Sequence, residues 1–83
     1  MNYEVQFSSQ AKKFIKNLDK KESIRILDKF KEISRDPFRY IEHYEGEGYK
    51  LRVGDYRALI DVDFKDKIVF VRVLDKRGRV YRK

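Results

Sequence analysis

The stretch Tyr49-Lys50-Leu51-Arg52-Val53-Gly54-Asp55-Tyr56-Arg57-Ala58-Leu59-Ile60-Asp61-Val62-Asp63-Phe64 decides the fold. Tyr49, Leu51 and Val53 alternate with Lys50 and Arg52. Beyond Gly54-Asp55, Tyr56, Ala58, Ile60, Val62 and Phe64 alternate with Arg57, Leu59, Asp61 and Asp63. A period of two sends the two sets to opposite faces of a sheet. Gly54-Asp55 fits a two-residue hairpin turn, with glycine supplying the positive φ. Lys65-Asp66 reads as a second tight turn. Ile68 to Leu74 is nearly all apolar, which places the third strand centrally with both faces covered. One face of this meander, carrying Tyr49, Leu51, Tyr56 and Ala58, goes to the core. The other presents Lys50, Arg52 and Arg57.

Upstream, Tyr3, Val5 and Phe7 alternate with polar residues and predict a first strand over 2–7. Ser8 or Ser9 can cap a helix that bears Ala11, Phe14, Ile15 and Leu18 as one apolar stripe. Asp19, with Glu22 three residues on, resembles a capping box and starts a second helix. Ile24, Ile26, Leu27, Phe30 and Ile33 give that helix a broad apolar face, and Asp36-Pro37 ends it. Phe14, Leu18, Leu27 and Phe30 are expected to fill the helix–sheet interface. The predicted fold is α+β, in the order β-α-α-β-β-β. Two N-terminal helices pack on one face of a small, mainly antiparallel sheet.

Eighty-three residues make one domain, 1–83, with room for one sheet and two helices but not for a separate cofactor-binding domain. Lys and Arg number 21 against 14 Asp and Glu, a net charge of +7, which calls for a polyanionic partner. Cysteine is absent, so disulfides, thiolate zinc sites and cysteine nucleophiles are excluded. A small domain without staples points to the cytoplasm. The apolar run Ile68-Val69-Phe70-Val71 is far short of the roughly 20 residues a membrane span needs. Met1-Asn2-Tyr3-Glu4 is not the start of a signal peptide.

Few residues offer chemistry. His43 is the one histidine and lies between the second helix and the meander, where a solvated role is the ordinary reading. Asp61 and Asp63 suit pairing with arginines better than metal ligation. Gly46-x-Gly48 lacks the strand-to-helix context of a phosphate loop. No cofactor and no metal is expected. The basic face remains, continued by Lys76, Arg77, Arg79, Arg82 and Lys83 around Tyr81. Arginine's planar fork binds two phosphate oxygens at once, and a tyrosine among arginines can stack on an unpaired base. A basic face can also merely solvate the sheet or bind an acidic partner.

The hairpin Tyr49 to Arg57 resembles the central hairpin of the RelE/ParE toxin superfamily. Val73-Leu74-Asp75-Lys76-Arg77-Gly78-Arg79-Val80-Tyr81 resembles its C-terminal signature, in the form found in archaeal RelE toxins. The order and spacing of elements agree over nearly the whole chain. The resemblance implies a toxin of a type II toxin–antitoxin system, a ribosome-dependent endoribonuclease that cuts mRNA in the A site. It places phosphate binding or proton transfer on Lys50, the scissile phosphate on Arg57, transition-state stabilisation on Arg77, and base stacking or proton movement on Tyr81. Arg52, Lys76, Arg79 and Arg82 become further substrate contacts. Lys76 stands where many members carry a histidine, and Gly48 where some carry a second lysine, so the resemblance does not name the general base.

Cleavage by the RNA's own 2′-hydroxyl needs that oxygen in line with the phosphate, a proton acceptor, and cations around the phosphorane. It does not need a metal. Clustered cations lower one another's proton affinity, which would make a lysine such as Lys50 usable as a base. The resemblance also implies partners: an acidic, RelB-like antitoxin, and the ribosome with its mRNA. ParE proteins share the fold but act on DNA gyrase, so a protein-binding poison without catalysis is an alternative. The set Lys50, Arg57, Arg77 and Tyr81 favours the nuclease. An inactive RNA- or protein-binding module of the same fold is a further alternative.

Overall fold

Strand, helix, helix, then strands is the order the chain adopts in a computed structural model, which describes residues 2–43 and 48–76. β1 (Glu4–Phe7) leads into α1 (Ser9–Lys16) and α2 (Lys20–Ile33). A single 3-10 turn (Pro37–Arg39) precedes β2 (Ile41–His43), β3 (Tyr49–Val53), β4 (Tyr56–Asp63) and β5 (Ile68–Lys76). Ser8 caps α1, its hydroxyl accepting from the Ala11 amide at 3.1 Å. Asp19 caps α2, its carboxylate accepting from the Glu22 amide at 2.9 Å. Each cap satisfies an amide that the first helical turn leaves unpaired. No described helix is long and apolar enough to cross a membrane.

The sheet order is β1-β5-β4-β3-β2, with β1 and β5 parallel and the other neighbours antiparallel. The α+β architecture, the two early helices and the mainly antiparallel sheet are those the sequence predicts. The sequence reading did not include β2, whose three residues are too few for an alternation to register. Gly54 turns the β3–β4 hairpin at φ 60°, and a Cβ there would stand 3.1 Å from a guanidinium nitrogen of Arg25. The second turn spans 64–67 and not two residues. The Asp63 carboxylate accepts from the Lys65 and Asp66 amides at 3.0 Å each, and Lys67 takes the left-handed conformation at φ 59°.

The core joins Ala11, Ile15, Ile26, Phe30 and Ile33 of the helices to Leu51, Val53, Tyr56, Ala58, Ile60, Val69, Val71 and Leu74 of the sheet. Two packing expectations need correction. Leu27 is 45% exposed, because α2 buries the stripe Ile26, Phe30 and Ile33 at i, i+4, i+7 while Ile24 and Leu27 flank it. β5 lies inside the sheet but is not covered on both faces: Ile68, Phe70 and Val73 are half-buried and Arg72 is exposed. A β-bulge shapes this strand. Ile60 pairs with Val71 and Leu59 with Val73, leaving Arg72 as the extra residue. The buried positions therefore shift from Val69 and Val71 to Leu74, and Asp75 comes to the open face.

Candidate nucleic-acid interface on the open face

Alternation that sends Leu51, Val53, Tyr56 and Ala58 into the core leaves Lys50, Arg52 and Arg57 on the far side of the sheet from the helices. Register then aligns them in rows. Arg52 stands opposite Arg57, and Arg57 opposite Asp75. In the next row Glu42, Lys50, Leu59 and Val73 follow one another across four strands. Glu42, Lys50, Leu51, Arg52 and Arg57 line a shallow depression of about 250 Å³. The Lys50 ammonium lies 3.8 Å from a Glu42 carboxylate oxygen, with 38% of the lysine side chain exposed. Three cations thus converge on one concavity, with half-buried Leu59 and Val73 as an apolar shoulder.

Asp61 pairs with Arg72 (Nε to Oδ2, 3.1 Å), and Asp63 serves the 64–67 turn, so Arg57 is not drawn to either of them. Lys76 falls elsewhere. Its register partner is the core-side residue Tyr56, and with Glu22, Arg25, Asp55 and Tyr56 it lines a second depression of about 480 Å³ on the helix side. Arg77, Arg79, Tyr81 and Arg82 lie outside the described residues. His43 is exposed at the sheet edge, its ring edge-on to Tyr49 at 5.8 Å. Among the described residues no three His, Cys, Asp or Glu side chains group to hold a metal ion.

The sequence reading missed Glu42, Asp75 and the Leu59–Val73 shoulder as members of this face. Leu59 was visible in the outward set of β4, whereas Glu42 needed β2 and Asp75 needed the bulge. On the helix side the Tyr56 hydroxyl donates to Glu22 at 3.3 Å. Burial, and then the Glu22 charge, push this phenol's pKa above its ordinary value.

The sequence model for the ParE toxin of type II toxin–antitoxin systems, parDE, matches residues 3–80. Among curated proteins no sequence match is found. The fold is similar to the RelBE2 toxin–antitoxin complex of Mycobacterium tuberculosis, with a TM-score of 0.81 and 25% identity, covering 93% of this chain and 100% of that one. It is similar to the archaeal RelE–RelB complex of Pyrococcus horikoshii OT3, with a TM-score of 0.76 and 29% identity over 95% and 99% of the two chains. The intact RelBE complex of E. coli gives a TM-score of 0.72 at 25% identity, over 93% and 99%.

Proposed function

The chain belongs to the ParE toxin family of type II toxin–antitoxin systems, within the RelE/ParE superfamily, and from that premise we propose that it is an endoribonuclease cutting mRNA in the ribosomal A site. The observation that carries this reading is the convergence of Lys50, Arg52 and Arg57 on one depression of the open face. Guanidinium forks suit phosphate oxygens, two of which each arginine can bind at once. The match over residues 3–80 supports treating 1–83 as one toxin domain.

In this mechanism Arg57 holds the scissile phosphate, Arg52 an adjacent one, and Lys50 binds phosphate or moves a proton. The 2′-oxygen bonds to phosphorus as the bond from phosphorus to the 5′-oxygen breaks. The 2′-hydroxyl proton passes to a base, and the leaving oxygen takes up a proton. A 2′,3′-cyclic phosphate and a 5′-hydroxyl result. Charge accumulating on the phosphorane is met by fixed guanidinium groups, which supply the acceleration together with the alignment of the RNA. Arg77 acts as transition-state contact and Tyr81 as stacking platform, with Arg79 and Arg82 steering RNA. No metal takes part. The solved complexes from M. tuberculosis and P. horikoshii support a RelB-like antitoxin as partner; the net charge of +7 suits an acidic one, and the substrate sets the toxin in the cytoplasm.

The deciding experiment is single-turnover cleavage of A-site mRNA on programmed ribosomes in EDTA, with only enough bound magnesium to hold the subunits together. Cleaved mRNA with cyclic-phosphate ends is expected. Intact mRNA together with gyrase trapped on cut DNA would replace this reading by the gyrase poison, which the ParE family match favours.

A further inference from the structure

β1 stops at Phe7, opposite Val71, while β5 runs on to Lys76. Among the described residues no strand borders that edge of β5 beyond Val71, and the start of α1 takes its place. The Ser8 amide donates to the Val71 carbonyl at 2.9 Å, and the Ser8 hydroxyl donates to the carbonyl of the bulged Arg72 at 2.6 Å. The Gln10 carboxamide then bonds Leu74 twice. Its Nε2 donates to the Leu74 carbonyl and its Oε1 accepts from the Leu74 amide, each at 2.9 Å. One side chain thus reproduces the pair of bonds a strand residue would make.

We infer that Gln10 is a positioning residue for the open-face site, acting through Leu74. The bulge at Arg72 leaves Ala58 opposite Leu74 and Arg57 opposite Asp75. Were β5 to pair without the bulge, the register would continue from Ile60–Val71 to set Leu74 opposite Arg57 and Asp75 opposite the buried Tyr56. A slip of one residue reverses which side chains reach each face. The Gln10 clamp holds Leu74 in the core register, and so keeps a carboxylate rather than a leucine beside the phosphate-binding arginine. The catalytic consequence, though not the positioning itself, rests on the endoribonuclease reading.

The test compares wild type, Gln10→Ala and Gln10→Glu, the last keeping the acceptor and losing the donor. Leu18→Ala serves as a control that loosens the core away from the site. NMR follows the cross-strand contact between Arg57 and Asp75, and single-turnover assays follow cleavage and ribosome affinity. Loss of the cross-strand contact is expected in Gln10→Ala, with cleavage slowed about tenfold at unchanged affinity, since small misplacements cost rate. Gln10→Glu is expected to fall between, and Leu18→Ala to cleave at the wild-type rate. A folded Gln10→Ala with wild-type cleavage overturns the inference, as does an equal loss in Leu18→Ala. If Gln10→Ala does not fold, Gln10→Glu is judged by the same criteria. If wild type cleaves no mRNA, the nuclease reading fails by itself. The Arg57–Asp75 contact then decides: its loss in the variants upholds the positioning role and its retention overturns it.

Discussion

Arg52 and Arg57 are directly paired across the β3–β4 hairpin, two guanidinium groups on the same face of adjacent strands. Like charges so placed destabilise a sheet. The arrangement is a cost the fold bears for its open face, as expected where local rules yield to function. Arg52→Glu should turn the repulsive pair into an attractive one and stabilise the protein by about 0.2–1 kcal/mol in chemical denaturation. The same variant should bind RNA less well. A variant that gains neither stability nor loses affinity would show that the two side chains do not share a field.

Phe30 is 2% exposed and meets Phe7 edge-on at 5.2 Å between ring centres. Truncation to alanine should cost about 3–5 kcal/mol, much of what a small domain possesses. Leu27→Ala, on the exposed flank of the same helix, should cost less than about 1 kcal/mol. Equal melting temperatures for the two variants would mean α2 is rotated from the position described.

Tyr56 couples stability to alkaline pH. Burial raises its pKa above the ordinary 10.0, so the folded protein holds this proton more tightly than the unfolded chain. That contribution is fully present below pH 10 and is lost as pH climbs through the folded-state value. Denaturation midpoints of wild type should therefore fall above pH 10, and Tyr56→Phe should flatten the decline. Parallel curves for the two proteins would count against the assignment.

Association with ribosomes or RNA should weaken steeply with salt, because counterions released from phosphate drive it. Replacing Arg79 or Arg82 should reduce the slope of log affinity against log salt and leave part of the cleavage activity. Binding insensitive to salt would indicate an apolar contact with protein instead.

Arg57→Ala should lower the single-turnover rate with bound substrate far more than it lowers ribosome affinity, since an interaction made in the transition state appears in kcat. Loss of one such contact costs about 3–4 kcal/mol, or about 10²–10³ in rate. Arg77→Ala should behave alike. A change confined to KM would reduce both residues to uniform binding contacts.

The hairpin and helices were legible because each rests on local chemistry: alternation about Gly54, and the side-chain caps of Ser8 and Asp19. Lys50, Arg52 and Arg57 followed from the same alternation, since a period of two fixes the face once the core side is known. What stayed hidden depends on partners distant in sequence. The β5 bulge arises from pairing with β4 and bonds to α1, so nothing in Val71-Arg72-Val73-Leu74 announces that Asp75 joins the open face. Reading that run as covered on both sides mistook a half-buried outer surface for a second core. Leu27 misled for a related reason. Its place in the apolar pattern of α2 is clear, but the width of sheet available to cover it is a tertiary quantity.

The parallel pairing of β1 with β5 also governs when this protein comes into being. Ser8 and Arg72, bonded in the finished fold, are 64 residues apart. During translation β1 emerges before β5 and waits for it while both helices are made. Contacts of such long separation form late and slowly. A nascent chain that has exposed its helices therefore still lacks the completed sheet, and with it the open face. In the interval before closure the apolar stripes of α1 and α2 have yet to find their sheet.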